Sequence, residues 1–346
     1  MRAELLPAEA LRGPSSAWLG GILCQDLRAA DGTVILGKGH RLERADDISL
    51  DAAETRPLHL VFLDEGDVHE DEAARRLARA VAGDGVLQGR PVESQVTCRA
   101  SQRGLVAVDQ AALSRLNSQP DVTVFTLPDG MPVEAGRAVA GVKVTPLGVP
   151  ESVLVAAEQG LAQLPRPLLD VRPFLPLRVD VVVCEALSGA RRERFEAALH
   201  RKVEWFGGSL VGLSYLPQRE SADPAALRER ASGCELLLLA GVASTDPLDP
   251  PWTALLAAGA RPVRRGLPVH PGSSYWLAEM SGCTAIGVSS CGMFSRRTVL
   301  DILLSRRFSG GGLDAEFLSS LGHGGLLARE LAYHFPNYGL GEDGPS

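Results

Sequence analysis

The sequence predicts an α/β protein, in which a C-terminal doubly wound, mostly parallel sheet follows an N-terminal α+β domain. Three observations carry this expectation. Two apolar runs of strand length, Arg178–Cys184 (RVDVVVC) and Glu235–Leu239 (ELLLL), have the composition of parallel strands buried on both faces. Strand-like and helix-like segments alternate from there to near the end of the chain, the rhythm of strand–helix–strand units. A proline-rich stretch, Gln163–Pro167 and Arg172–Pro176, divides the sequence, because proline interrupts helix and restricts the residue before it. The expected division is residues 15–150 for the α+β domain, 151–176 for a linker and 177–335 for the α/β domain.

Before the linker, short β-like runs sit between Gly- and Pro-bearing turns: Thr33–Leu36, Leu58–Leu63, Gly104–Val108, Val122–Leu127 and Ala138–Val144. One helix is expected among them, Glu70–Val81, with acidic residues in its opening turn and arginines further along, as the helix dipole favours. Its first turn, Glu70–Ala74, reads as solvated. After the linker, Ser188 opens a helix whose Phe195, Leu199, Val203 and Phe206 share one face, and Gly207–Gly208 stops it. Strand Ser209–Tyr215, a helix capped by Asp223, the ELLLL strand, helix Pro251–Ala258, strands Arg261–Arg265 and Thr284–Val288 and helix Arg297–Leu304 follow. A further helix is expected from Tyr275.

Composition narrows the function. Hydrophobic residues make up 45% and charged residues 22%, and the net charge is −7. Nucleic acid is excluded as a bulk partner, because phosphate backbones need concentrated positive charge. The six cysteines are scattered without a CxxC pair, so reduced thiols are expected rather than a zinc ribbon or disulfide framework. Neither a signal peptide nor a membrane span is read, and a cytoplasmic protein is expected.

Ligands of open α/β sheets gather beyond the carboxyl ends of the strands. Three loops there have unusual composition. Ala240–Asp249 places Gly241, Val242, Ala243, Ser244 and Thr245 where the backbone can approach a ligand, with Asp246 and Asp249 as acceptors suited to Mg2+. His270, Pro271, Gly272, Ser273 and Ser274 precede the helix expected at Tyr275 and so form an anion site at its N-terminus. The third loop, Ser289–Ser295, includes Ser290, Cys291 and Gly292. His270 is a candidate donor to a phosphate or oxyanion, and Cys291 a soft ligand. Trp276 reads as core, and Arg264–Arg265 as solvated or phosphate-neutralising.

These residues resemble a family. The segment Leu239–Asp246 (LAGVASTD) is similar to the Gly-Gly-Val-Ser-x-Gly-Asp element of the gephyrin-like molybdopterin molybdotransferases, and Val269–Ser273 resembles their Pro-Gly-Lys-Pro loop. A closer likeness is to a group of molybdopterin-binding proteins sometimes fused to a cytidylyltransferase-like domain. It rests on Gly37–His40, Gly66–Ala74, Val142–Pro146, Ala243–Pro250, His270–Ser273, Ser290–Ser295 and Leu321–Gly325, and covers most of residues 20–325. The resemblance implies a molybdopterin-binding type of sheet. It also implies a molybdopterin ligand or its adenylylated or metallated form, a Mg2+ cofactor, a catalytic or metal role at Asp246, and a homodimer. Ala240 replaces one glycine of the double glycine, and Ser273 stands in place of the lysine. The resulting readings are a molybdopterin-binding protein that also inserts molybdate, and a non-catalytic carrier for a nucleotidyltransferase or molybdoenzyme. A third is a nucleotide pyrophosphatase of the competence-damage type.

Overall fold

The computed structural model describes residues 1–7, 17–44, 56–92, 94–216, 222–289, 298–327 and 335. The chain forms two compact units. The first comprises Met1–Gln102, Val106–Asp129 and Ala135–Val171, and the second comprises Arg103–Leu105, Gly130–Glu134 and Arg172–Ser346. Together they form a mixed α/β protein with several sheets.

In the first unit, β1 (Arg2–Leu6) and β2 (Ile22–Leu23) flank β5 (Leu58–Phe62), and β3 (Leu27–Arg28) pairs with β4 (Val34–Leu36). Their core is Leu6, Trp18, Leu23, Leu42 and Leu60. The short β6 (Asp67–His69) leads into α1 (Glu70–Val81). The helix starts where expected because His69 caps it: its Nδ1 accepts from the Asp71 amide at 3.3 Å. Its first turn is solvated only in part, at Asp71 and Glu72. Glu70 is 5% exposed, and Ala73 and Ala74 are fully buried. Burial raises the Glu70 carboxyl above its ordinary range.

A four-stranded antiparallel sheet follows, ordered β10–β12–β8–β7, from β7 (Val86–Val92), β8 (Gln95–Ala100), β10 (Val122–Thr126) and β12 (Ala138–Val144). Between its strands lie β9 (Gly104–Val108), α2 (Gln110–Asn117) and β11 (Pro132–Val133). The stretch expected as a linker contains α3 (Glu151–Ala162), reached through β13 (Gly148–Pro150), and β14 (Leu169–Pro173). Prolines break the chain only from Pro165 onward; ESVLVAAEQGLA before it is ordinary helix-forming sequence with Leu154, Ala157 and Leu161 buried.

The second unit is built on one six-stranded sheet from β15 (Arg178–Val183), β16 (Ser209–Tyr215), β17 (Leu236–Val242), β18 (Arg261–Arg265), β19 (Trp276–Met280) and β20 (Cys283–Ser289). Their order is β16–β15–β17–β20–β19–β18. β16, β15, β17 and β20 run parallel; β19 runs against them, and β18, paired antiparallel with β19 at the edge, runs with them again. All seven residues of β17 are buried, as a central strand covered on both faces requires. One face packs on Phe195, Leu199 and Val203 of α4 (Gly189–Trp205) and on Leu303 and Phe308 of α7 (Val299–Phe308). The other packs on Leu227 of α5 (Pro224–Ser232) and on Trp252 and Leu255 of α6 (Pro250–Ala257). The last described helix is α8 (Ala315–Ser320).

No helix begins at Tyr275. Residues 276–280 form β19, and Met280 turns back to Cys283 through Ser281 (φ 51°) and Gly282 (φ 85°), both left-handed as a tight hairpin needs. Tyr275, Trp276, Leu277 and Ala278 are completely buried, on alternating faces of the sheet. Two-sided burial of an aromatic, hydrophobic run decides for strand here. Gly287 opposite lets Trp276 cross over it; a Cβ there would lie 2.0 Å from the indole.

Candidate functional site

The directions of the strands place the candidate loops. Chain leaves the sheet at the ends of β15, β17, β18 and β20 on one edge, and β19 enters from that edge. The loops 240–249 and 266–275 therefore share the carboxyl edge of the sheet. Ser274 of the second loop donates its hydroxyl to that of Ser289, the last residue of β20, at 3.2 Å. Ser290, Cys291 and Gly292 lie outside the described residues.

The first loop begins with a break in the β17–β20 register between Ala240 and Val242. Gly241 takes φ +80°, and a Cβ there would lie 2.6 Å from Cγ of Glu185. Glycine is therefore required by both the turn and the neighbour. The Ala240 methyl is turned into the core with Val183, Leu238 and Val288, so the replaced glycine adds bulk to the core, not to the loop.

Beyond Gly241 the loop folds on its own carboxylates. Asp249, 1% exposed, caps α6 and accepts the Ala243 amide on Oδ2 at 3.2 Å. Asp246 accepts the Leu248 amide on Oδ1 at 2.9 Å, and its own amide donates to the Ala243 carbonyl at 2.8 Å. Each acid thus spends an oxygen on closing the turn. Asp249 is buried and Asp246 exposed, and among the described residues no group of three potential metal-binding side chains occurs. Ser244 Oγ is buried without a hydrogen-bond partner, the position of a hydroxyl that has lost water and gained nothing in return.

Arg265, at the end of β18, ties this loop down. Its Nη2 donates to the carbonyls of Ser244 at 3.1 Å and Asp246 at 3.0 Å, and its guanidinium lies 5.0 Å above the Trp252 ring. A solvated arginine was one of the two sequence readings at this position; the structure makes it the brace of the loop. Neighbouring Arg264 instead donates to Ser319 Oγ at 2.6 Å.

The second loop is set by backbone bonds rather than by a helix terminus. Leu267 donates to Ser273 at 2.8 Å, Tyr275 to Gly272 at 3.1 Å, and Val299 at the start of α7 to Pro271 at 3.1 Å. Because β19 replaces the expected helix, no helix dipole or fan of N-terminal amides points from residues 272–274. His270 is exposed; its amide donates to Gly325 at 2.7 Å and its carbonyl accepts from Leu327 at 2.9 Å. Its peptide bond to Pro271 is cis, and Gly272 takes φ +113° with Val299 2.4 Å from where a Cβ would stand. His323 is exposed.

No family model and no curated protein matches the sequence. A solved structure does. It is described as the molybdopterin biosynthesis MoeA protein from Pyrococcus horikosii, with 12% identity, 71% of this chain and 81% of that one covered, and a TM-score of 0.29. A likeness at that level assigns neither family nor function, and the geometry above stands by itself.

Sequence reading missed a buried ion pair beneath the site. Lys202 of α4 donates to Asp301 of α7 at 2.6 Å; Asp301 is fully buried and the Lys202 side chain 10% exposed. Asp301 also accepts the Thr298 amide at 2.9 Å in a capping box that starts α7. The stem of Lys202 lines an apolar cavity with Val181, Leu199, Leu238 and Val288. The sequence signal available was Thr298 followed three residues later by Asp301; nothing in it marked Lys202.

Proposed function

We propose that the chain binds molybdopterin, or an adenylylated or metallated form of it, at the carboxyl edge of β17 and β20. In this reading it serves molybdenum-cofactor biosynthesis or delivery. The observation that carries the choice of site is that loops 240–249 and 266–275 lie on one sheet edge, with Ser244 Oγ buried and unpartnered and Arg265 tied to the first of them. A phosphorylated ligand supplies the acceptor that such a hydroxyl lacks and the negative charge that a guanidinium recognises. The identity of the ligand rests on the motifs 243–250 and 270–273 and their resemblance to molybdopterin-binding proteins.

Binding and hand-over are better supported than molybdate insertion. In loop 240–249 Asp246 is exposed and Asp249 buried, and each accepts a backbone amide of the loop. The carrier reading thus places a nucleotidyltransferase or molybdoenzyme downstream, with a homodimer as the working assembly. The deciding experiment supplies molybdopterin, ATP, Mg2+ and molybdate, and follows AMP release together with reconstitution of an apo-molybdoenzyme. The carrier reading predicts pterin binding without AMP release, unchanged by Asp246→Asn. Turnover abolished by Asp246→Asn establishes the transferase instead, and failure to bind pterin ends both.

A further inference from the structure

Away from the carboxyl edge, at the opposite end of the same two central strands, Cys234 and Cys283 stand with their sulfurs 3.6 Å apart. Cys234 lies between Gly233, which ends α5, and β17; Cys283 opens β20 directly after the hairpin turn. The backbone holds them there. The Thr284 amide donates to the Glu235 carbonyl at 3.1 Å, and Leu236 is paired with Thr284 in the parallel ladder. The backbones that carry the two cysteines are thereby held side by side. Both side chains are buried, at 5% and 1% exposure, and Cys234 is flanked by exposed Ser232 and Gly233.

We propose that Cys234 and Cys283 are a redox-active pair that a hydroperoxide converts to a disulfide. The thiols share a hydrogen bond in which either sulfur can donate, and with Cys283 as donor Cys234 is drawn toward thiolate while Cys283 itself is pushed up. Cys98, in contrast, is pushed up to about 11 by burial. The pair therefore contains one sulfur favoured as nucleophile and one as the protonated resolving partner. Asp180 and Glu279 oppose ionisation of Cys234 and Cys283 respectively, and neither cancels the direction at Cys234.

The chemistry balances without further reactants. The Cys234 thiolate attacks one oxygen of hydrogen peroxide; the S–O bond forms, the O–O bond breaks, and hydroxide leaves to take up a proton as water. The Cys283 sulfur then attacks the Cys234 sulfenic acid, the S–S bond forms, and hydroxide leaves with the thiol proton as a second water. Both sulfurs are oxidised by one electron each, and the peroxide is reduced by two. Disulfide formation brings the sulfurs from 3.6 Å to the bonded ~2.05 Å. The product would clasp β17 and β20 at their amino ends, while their carboxyl ends carry the candidate loops.

The test uses the folded full-length chain and hydrogen peroxide, followed by denaturation, alkylation of remaining thiols and peptide mapping. The expected result is a linked peptide pair containing Cys234 and Cys283, lighter by two hydrogens, reversed by dithiothreitol, with Cys24, Cys98, Cys184 and Cys291 alkylated. In Cys283→Ser, Cys234 should stop at a sulfenic acid that dimedone traps. Six alkylated thiols after peroxide, or oxidised Cys234 with Cys283 still alkylated in the unsubstituted chain, overturns the proposal. Because the decisive mapping is made on the unsubstituted chain, misfolding of the variant leaves it intact. Pterin binding is not involved, so the result is independent of the proposed function.

Discussion

At the scale of single residues, the sharpest consequence is at Lys202 and Asp301. A buried carboxylate deprived of its cation keeps the desolvation cost and loses the compensation, which costs about 3–5 kcal/mol in comparable buried pairs. Lys202→Met keeps the apolar stem but removes the charge beside fully buried Asp301. It should lower the unfolding free energy by about 3 kcal/mol in urea titration. A loss below ~1 kcal/mol would mean that the capping interactions of Asp301 with Thr298 satisfy it alone. Residues also show where the sequence was readable. Gly241 was marked as a place where backbone could approach a ligand; its positive φ and the nearness of Glu185 give the glycine a structural reason that the sequence did not display. Asp246 and Asp249 were read from their spacing as acceptors suited to Mg2+; that each also accepts a backbone amide of its own loop, from Leu248 and Ala243, is something no sequence pattern displays.

At the scale of elements, α1 and α3 are joined by one arginine. Arg76 donates to Glu158 at 2.8 and 2.7 Å and to Glu151 at 2.7 and 2.9 Å. The guanidinium holds the Glu158 carboxyl below its ordinary range. A carboxylate with a depressed folded pKa contributes stability that is complete above its unfolded value, near 4.3, and is lost as pH falls through the folded value. Acid should therefore loosen α3 from α1, and Arg76→Ala should lose most of its stability deficit as the pH is lowered from 5 to below 3. Urea midpoints measured across that range check it; a deficit constant with pH would show that Arg76 acts through packing instead. Helices with an amphipathic face and a cap were legible, as α1 from His69 to Val81 shows. The exceptions have a common cause. The segment 276–280 and the stretch 151–162 were judged by their neighbours, a His-Pro-Gly loop and a run of prolines, and not by their own side chains. Burial of Trp276 on both sides by α6 and Gly287 is a long-range effect that local spacing does not carry.

At the scale of the whole molecule, the mixed α/β architecture was legible because ELLLL and RVDVVVC can only be buried by covering both faces of a sheet. The order of the strands was not, since it depends on which apolar faces meet. The candidate site follows from that order. β17, β20 and β19 lie side by side, so the loop after β17 and the loop before β19 lie on one edge although they are separate in sequence. No helix among the described residues is long and apolar enough to cross a membrane. The central claim is that this edge holds a pterin phosphate, and direct titration of molybdopterin into the unsubstituted chain and into Arg265→Ala tests it. The account predicts saturable binding to the former and binding weakened by about tenfold or more in the latter, whose loop has lost both its brace and its positive charge. Absence of binding to the unsubstituted chain, or equal binding by both at unchanged stability, would contradict it.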